Sequence, residues 1–186
     1  MLMVLGGAPR AGKGIISRRC LSALPTPVLS LDVLKMGLHH AVPSIGVEPG
    51  GDPSEVGRRM WPLVRAMAEN VLESGVDYLF EGDMLLPTQV AALERLGGDD
   101  VRSCFVGYCD IHPTQKLAEI RRYPGLPNDW LTEHDDEYVL EVVEYGIGFS
   151  RRLSEGCGSL GLQYFDGSAD FLGAVDSATS HLTTGW

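Results

Sequence analysis

The sequence has few basic residues for its length and no long apolar run. Its 186 residues include 15 Lys and Arg against 25 Asp and Glu, a formal net charge of −10. A general nucleic-acid-binding protein usually has the opposite balance, so we expect no nucleic-acid partner. No apolar stretch reaches the roughly 18 residues needed to cross a bilayer, and no basic leader precedes the first apolar run. We therefore expect a soluble cytoplasmic protein without a signal peptide or a membrane partner.

Cysteine is also scarce, and its spacing excludes the common metal sites. None of the four cysteines lies in a CxxC pair or in a Cys/His spacing typical of zinc. We interpret them as small core residues of a protein in a reducing compartment. Internal repeats and low-complexity segments are lacking as well, and 44% apolar with 22% charged residues is typical of a globular chain. The length predicts a single domain.

Short apolar runs alternate with longer segments of helical periodicity along the whole chain. The runs predict five strands, at 2–5, 28–31, 76–80, 101–108 and 162–165. The periodic segments predict helices at 13–24, from 33, and at 53–75, 87–96, 113–122, 133–157 and 171–182. Strands separated by helices imply a parallel sheet covered by helices on both faces, a three-layer α/β/α architecture. Ligands of such sheets bind beyond the carboxyl ends of the strands.

A glycine-rich turn follows the first strand. The stretch GAPRAGK, residues 7–13, matches the GxxxxGK phosphate-binding loop and stands between a strand and a helix, as that mechanism requires. Backbone N–H groups and the helix N-terminus would hold the phosphates, and Lys13 would reach the β- and γ-phosphates. The predicted nucleotide site consists of Gly7, Ala8, Pro9, Arg10, Ala11, Gly12, Lys13, Gly14 and Ile15.

The stretch GGAPRAGKG resembles the loop of the nucleoside-monophosphate-kinase-like branch of P-loop proteins, which includes adenylate kinases, shikimate kinase and chloramphenicol phosphotransferase. The resemblance implies a P-loop NTPase fold with sheet order 2-3-1-4-5, and ATP or GTP with Mg²⁺ as cofactors. Adenylate kinases carry Gly and then Thr after the lysine, so this sequence keeps Gly14 and departs at Ile15. Loss of both hydroxyls removes the usual protein ligand of Mg²⁺ but not phosphate binding. Ser17, one turn further on, would face the site only through water.

Carboxylates are predicted at the ends of the second and third strands. Relatives of this branch carry a carboxylate at the position of Asp32, so the resemblance implies that it accepts the proton of a substrate hydroxyl or orients that hydroxyl. The alternative is an N-cap of the next helix, and the two roles are compatible. The stretch VDYLFEGD ends in Glu81 and Asp83, the layout of a Walker B element. These three acids are the predicted metal site, acting through water, and predicted contacts of the acceptor.

Two further segments follow from the resemblance. Residues 112–132 correspond to a lid, which implies that Arg121 or Arg122 closes over the transferring phosphate. Helical spacing turns these two side chains about 100° apart, so one of them is expected to face inward. Residues 36–74 correspond to the acceptor-binding segment, with Arg58 and Trp61 as predicted substrate contacts and simple packing as the alternative. In YPGLPNDW, prolines fix turns and Trp130 would anchor the loop on the core.

Together these features predict a small-molecule kinase, which moves the γ-phosphate of ATP to a hydroxyl of a metabolite or a natural product such as an antibiotic. Phosphoryl transfer needs mainly positioning and neutralisation of charge, which the loop and its neighbours would supply. A nucleoside or nucleotide kinase stays open, and so does a nucleotide-binding module without catalysis. Signatures of a nucleotide acceptor are not visible, which favours another hydroxyl compound. A homodimer is also left open.

Overall fold

Five parallel strands form one sheet in the computed structural model, which describes residues 1–123, 125 and 129–185. The strands are β1 (Leu2–Gly7), β2 (Val28–Ser30), β3 (Tyr78–Gly82), β4 (Val101–Gly107) and β5 (Tyr164–Asp166). Their order is β2-β3-β1-β4-β5, and each neighbouring pair is parallel. This order confirms the predicted fold and places β1 at the centre of the sheet.

Helices connect the strands, as the alternation of apolar runs and periodic segments predicts. They are α1 (Lys13–Ala23), α2 (Leu31–Ala41), α3 (Pro53–Ser74), α4 (Pro87–Gly97), α5 (Pro113–Arg122), α6 (Asp136–Leu160) and α7 (Phe171–Thr183). Short 3₁₀ turns follow α2 at Pro43–Ile45 and α4 at Gly98–Asp100. Proline opens three of the helices, where its missing N–H costs no helical hydrogen bond. Asp52 caps α3 by accepting hydrogen bonds from the N–H groups of Ser54 and Glu55, as predicted.

Several element boundaries differ from the prediction by two or three residues, and for β3 and α6 local contacts give the reason. β3 begins two residues later than expected and continues through Glu81, because its register with β1 pairs Glu81 with Leu5. α6 begins three residues later than expected, at Asp136, because Asp135 caps it by accepting from the N–H of Tyr138 at 2.9 Å. The later end of β3 moves Glu81 into the strand and leaves the next carboxylate beyond it.

The core lies on both faces of the central strand. Alternate residues of a strand point to opposite faces, and the four residues from Leu2 to Leu5 are all fully buried. α1 packs with α7, while α4 packs with both α3 and α6. A continuous apolar run is what a parallel strand covered on both faces requires. Within the described residues, none of the helices has the length and apolar character that crossing a bilayer demands.

Candidate active site

The loop between β1 and α1 has the backbone conformation of an anion-binding nest. Three of its residues have positive φ angles: Gly7 at 150°, Arg10 at 61° and Gly12 at 98°. A Cβ atom at Gly7 would overlap the carbonyl oxygen of Val106, so the close approach of β4 requires the first glycine. The left-handed turn at Gly12 leads directly into α1, whose first N–H groups point out of the helix end. This geometry fits the predicted binding of phosphate by the backbone of the loop, which stays a prediction.

Neighbouring elements brace this loop. The N–H of Ala8 donates to the carbonyl oxygen of Val106 at 3.0 Å, and the N–H of Ala11 donates back to Ala8 at 3.3 Å. The hydroxyl of Tyr108, at the end of β4, donates to the carbonyl oxygen of Pro9 at 2.8 Å. Burial raises the pKa of Tyr108, which keeps the phenol protonated as a donor. These contacts fix the shape of the loop.

Lys13 folds back over the loop. Its Nζ donates to the carbonyl oxygens of Gly7 and Ala8, both at 3.0 Å. Both acceptors are neutral, and a phosphate oxygen would form a stronger, charge-assisted hydrogen bond with the ammonium group. The structure thus holds the lysine close to the nest, in a position from which it can turn to a phosphate.

The two positions after the lysine differ in what surrounds them. At Gly14, the nearest atom of the described residues to a Cβ would be Nη1 of Arg18, at 3.8 Å, so there is open space. The side chain of Ile15 packs against the apolar core, and its N–H donates to the carbonyl oxygen of Gly12 at 2.9 Å. Ile15 therefore contributes to the packing of α1, and any role in phosphate binding would be limited to its backbone.

Asp32 lies in the first turn of α2 and does not cap it. The N-cap position is Ser30, because β2 passes directly into the helix at Leu31, so the interpretation of Asp32 as the N-cap is wrong. The carboxylate instead accepts a hydrogen bond from Lys35 at 2.6 Å. Burial disfavours the charge of Lys35, but the bond to Asp32 and the nearby Asp83 raise its pKa overall. Sequence reasoning missed Lys35, although its i, i+3 spacing from Asp32 was a usable signal.

Asp83 follows the end of β3 and is surrounded by charged groups. Burial raises the pKa of its carboxyl, and the charge of Asp32 adds to this effect, whereas Lys13 and Lys35 oppose it. Two lysines and two aspartates thus act on one another at the carboxyl edge of the sheet. Glu81 is half-buried inside β3. The structure brings Lys13, Asp32 and Asp83 together, as their places at strand ends predict.

Two contacts place α3 and α6 beside these carboxylates. Gly57 of α3 approaches the carbonyl oxygen of Met84 so closely that a Cβ atom would overlap it. Tyr145 of α6 donates from its hydroxyl to Asp52, the N-cap of α3, at 2.9 Å. Burial, this hydrogen bond and the charge of Asp83 all raise the pKa of Tyr145. Part of the predicted acceptor segment therefore lies against the residue that follows Asp83.

The two residues of α3 that are predicted to contact the acceptor have other partners in this structure. The side chain of Arg58 is 62% exposed and pairs with Glu55 at 3.0 Å. Trp61 is half-buried and packs against the apolar core. Their contact with an acceptor stays a prediction, and packing accounts for the position of Trp61.

The predicted lid arginines differ sharply in their contacts. Arg121 donates to the carboxylate of Asp136 at 3.0 Å and to two backbone carbonyls between α5 and α6, at 3.1 and 2.6 Å. The guanidinium of Arg122 lies over the ring of Tyr123 at 5.2 Å. Arg121 therefore ties the end of α5 to the start of α6. The role of either residue at a phosphate stays a prediction.

The segment between α5 and α6 contacts the glycine loop directly. Arg10 pairs with Asp129 at 3.0 Å and donates to the carbonyl oxygen of Tyr123 at 3.3 Å. Trp130 is exposed and lies edge-on to neighbouring rings, so the prediction that it anchors the loop on the core is wrong. The predicted turns at Pro124 and Pro127 lie outside the described residues.

Other basic residues near the loop serve the scaffold. Lys116 is only 3% exposed, with Nζ over the rings of Tyr108 and Phe171 at 4.6 and 4.9 Å. Burial lowers the pKa of Lys116, and an ion pair with Glu119 at 3.2 Å opposes this effect. Arg151 donates to the carbonyl oxygen after β4 at 3.0 Å. Lys116 and Arg151 therefore stabilise the segment that follows β4.

Comparison with known proteins supports the fold. No family model and no curated protein matches the sequence. A shikimate kinase from Bacteroides thetaiotaomicron aligns with a TM-score of 0.56 at 16% identity, over 98% of this chain and 96% of that one. A gluconokinase from Sinorhizobium meliloti 1021 aligns with a TM-score of 0.59 at 14% identity, over 97% of this chain and 90% of that one. The fold is the P-loop fold of these two structures, with a five-stranded parallel sheet in the order 2-3-1-4-5, as the loop sequence predicts.

Proposed function

We propose that the protein is a phosphotransferase that moves the γ-phosphate of ATP to a hydroxyl of a small molecule. The observation that carries the proposal is the convergence of Lys13, Asp32 and Asp83 at one edge of the sheet. Because β3 lies between β1 and β2, the glycine loop and both carboxylates follow three adjacent strands. A nucleotide held by the loop would thus place its terminal phosphate beside acids that can receive a hydroxyl group.

The proposed reaction needs little covalent chemistry from the protein. The acceptor oxygen would bond to the γ-phosphorus while the bond from that phosphorus to the β,γ-bridging oxygen breaks, and ADP would leave. The hydroxyl proton would pass to the carboxylate of Asp32. Lys35 orients this carboxylate by donating from Nζ to Oδ1 at 2.6 Å. Lys13 would exchange its two carbonyl contacts for phosphate oxygens and so stabilise the charge that develops there.

The acidic residues of this edge fit a magnesium ion that is held mainly through water. In the part of the chain that the structure describes, no three His, Cys, Asp or Glu side chains converge as a direct metal site. Mg²⁺ commonly keeps several waters and binds proteins through one or two carboxylates together with substrate phosphates. Asp32, Glu81 and Asp83 would hold those waters. The bound ion would neutralise charge on the phosphates.

A small hydroxyl compound is the proposed acceptor. The two solved structures compared above are named as a shikimate kinase and a gluconokinase, which are kinases of small molecules. On α3, Arg58 and Arg59 both pair with Glu55, at 3.0 and 2.9 Å. Arginines already paired within their own helix are poorly placed for the phosphate of a nucleotide acceptor. This supports a compound without a phosphate group.

A substrate panel tests the proposal. The purified protein is incubated with ATP or GTP, Mg²⁺ and sugars, sugar acids, cyclitols, hydroxylated natural products, nucleosides or nucleoside monophosphates, and phosphorylated products are detected by mass spectrometry. We expect product from a non-nucleotide hydroxyl compound and none with the Lys13→Ala variant. A nucleotide product would indicate the nucleotide-kinase alternative. Calorimetric binding of ATP without any product would indicate a binding module, and the absence of nucleotide binding would contradict all three assignments.

A further inference from the structure

Lys35 is a second lysine beside the carboxylates that follow the strand ends. Its ammonium group donates to Oδ1 of Asp32 at 2.6 Å, and its side chain is 13% exposed, whereas that of Asp32 is 49% exposed. A lysine has three N–H donors, and this hydrogen bond takes one of them. Lys35 therefore keeps donors for a further anionic partner that enters the site.

The strand order places Lys35 opposite Lys13. β3 lies between β1 and β2, and the register pairs Gly6 of β1 and Ser30 of β2 with two adjacent residues of β3, so the three strands end nearly level. Neighbouring strands are about 4.8 Å apart, so the ends of β1 and β2 are roughly 10 Å apart. α1 begins at Lys13 beyond β1, and Lys35 lies early in α2, which follows β2 directly. The two lysines thus flank the end of β3 from opposite sides.

Asp83 follows β3 in the gap between these two lysines. Burial raises the pKa of its carboxyl, whereas the ammonium groups of Lys13 and Lys35 both lower it. Both positive charges are therefore close enough to act on one carboxyl group. A phosphoryl group that the glycine loop presents toward Asp32 would enter the same gap and would lie between the two ammonium groups.

The proposed reaction changes the charge beside Lys35 during the transfer. The acceptor oxygen bonds to the γ-phosphorus, the bond to the β,γ-bridging oxygen breaks so that ADP leaves, and the hydroxyl proton passes to Asp32. Asp32 becomes neutral in this step, so its attraction for the ammonium group of Lys35 weakens while the phosphoryl oxygens stay negative. An interaction that is stronger in the transition state than in the ground state raises kcat. Lys35 is suited to such an interaction.

We propose that Lys35 is a catalytic residue that contacts the transferring phosphoryl group from the side opposite Lys13. Its ammonium group donates to an oxygen of that group as the proton reaches Asp32, and so stabilises the charge of the transition state. Gly14 and Ile15 provide no hydroxyl to hold the metal ion at the loop. A second lysine supplies charge neutralisation that does not depend on such a hydroxyl. This inference rests on the proposed function, because it concerns the phosphate transferred at the same site.

Calorimetry with ADP alone and with ADP plus aluminium fluoride, both in Mg²⁺, tests the role of Lys35. The fluoride complex imitates the transferring phosphoryl group, so its affinity reports on the transition state. We expect Lys35→Met to leave the affinity for ADP within about 2-fold of the wild type and to weaken binding of the fluoride complex roughly 10- to 100-fold, the effect of one hydrogen bond to a charged group. Lys35→Arg keeps the charge and should recover part of this loss.

The matched control is Arg95→Met. Arg95 is an exposed cation in the last turn of α4, which ends just before β4 begins and therefore lies at the opposite edge of the sheet. We expect this control to bind ADP and the fluoride complex like the wild type. The affinity for ADP is measured on the same protein, so a loss confined to the fluoride complex does not come from unfolding. Lys35→Gln, which is also uncharged, gives the same test should Lys35→Met not fold.

The Asp32→Ala background separates contact with the phosphoryl group from orientation of Asp32. A residue that only orients Asp32 has no further effect once that carboxylate is removed. We expect Lys35→Met still to weaken the fluoride complex roughly 10-fold or more in this background, because its own hydrogen bond is lost. No further loss there, or an equal loss with ADP alone, overturns the proposal. A wild type that binds ADP but gains no affinity from fluoride also overturns it, whereas a wild type that binds no nucleotide contradicts the proposed function itself.

Discussion

Arg10 and Asp129 form a largely buried ion pair that joins the glycine loop to the segment before α6. Nη1 of Arg10 lies 3.0 Å from Oδ1 of Asp129, and the two side chains are 16% and 3% exposed. Asp129 also accepts from the N–H groups of Gly125 at 2.7 Å and Leu131 at 3.2 Å. Burial raises the pKa of Asp129, but these bonds and the charge of Arg10 lower it overall. Arg10 itself has φ 61°, a conformation uncommon for a residue with a side chain.

A double-mutant cycle should detect this connection. We expect Arg10→Ala and Asp129→Ala each to lower the free energy of unfolding, and the double variant to lose less than the sum. The interaction energy should be roughly 0.5–3 kcal/mol, the range for residues in direct contact. Urea unfolding of the four proteins at pH 7 measures it, with the exposed Arg18→Ala as a control for loss of a positive charge. If the losses in unfolding free energy of the two single variants add up to that of the double variant, the ion pair contributes nothing to stability.

The free energy of unfolding should depend on pH through Asp129, and its stabilising effect should be lost in acid. The pKa of Asp129 is lower in the folded protein than its ordinary value of 3.8. The stabilisation is therefore fully present above pH 3.8 and is lost as the pH falls through the lower, folded-state value. The gap in unfolding free energy between the wild type and Asp129→Asn should narrow below about pH 4. A difference in unfolding free energy that stays constant over this pH range would contradict an electrostatic contribution of Asp129.

Lys13 should be essential for turnover and dispensable for folding. Among the described residues its hydrogen bonds go to two neutral carbonyl oxygens, so Lys13→Ala loses two modest hydrogen bonds. At the transferring phosphate its charge would stabilise the developing negative charge, and loss of one such donor costs about 10²- to 10³-fold in rate. We expect this loss in kcat once an acceptor is found, with a circular dichroism spectrum like that of the wild type. Unchanged turnover would remove the phosphate-loop assignment.

The sequence was sufficient to predict the parts of the site that follow strand ends, and insufficient for the parts that depend on helix packing. Lys13 and Asp83 could be placed together because a parallel sheet brings its carboxyl ends to one edge. The ion pair of Lys35 with Asp32 was not predicted. It depends on where α2 begins, and this helix begins at Leu31, two residues earlier than expected. The contacts of Tyr145 and Arg121 join segments whose approach no local pattern encodes, since each depends on how α6 packs.

Asp83→Asn should stabilise the protein at neutral pH while reducing its activity. Because burial raises the pKa of Asp83 above 3.8, the folded protein binds the proton more tightly than the unfolded chain does. Stability is therefore lost as the pH rises from the ordinary value to the raised one, and ionised Asp83 is destabilising above that range. Asn carries no charge, so the advantage of the variant should grow as the pH rises above 3.8.

Unfolding in urea at several pH values measures this advantage, and the exposed Asp99→Asn is the matched control. Turnover of Asp83→Asn should fall, since the proposed site uses the ionised carboxylate to hold metal-bound water or the acceptor. If Asp83→Asn raises the free energy of unfolding equally at every pH, the gain comes from packing and not from the lost charge. A gain in stability with full turnover would exclude Asp83 from the chemistry.

Arg121 and Arg122 form a natural matched pair, since they are adjacent and differ in their partners. Arg121 has a carboxylate and two backbone carbonyls as acceptors, whereas the guanidinium of Arg122 lies over the ring of Tyr123. We expect Arg121→Ala to lower the melting temperature by a few degrees, because roughly 1–2 kcal/mol of charge-assisted bonding is lost. Arg122→Ala should leave the melting temperature nearly unchanged.

The effect of these two variants on kcat should be the reverse of their effect on the melting temperature. Arg122 has no carboxylate partner to give up among the described contacts, so it is the one expected to turn toward the phosphates when nucleotide binds. We expect Arg122→Ala to reduce kcat with little change in the affinity for the ATP analogue, and Arg122→Lys to recover part of the loss. A loss of kcat confined to Arg121→Ala, with normal turnover in Arg122→Ala, would assign the catalytic role to Arg121. In that case the three contacts seen here would have to break whenever the segment closes over the nucleotide.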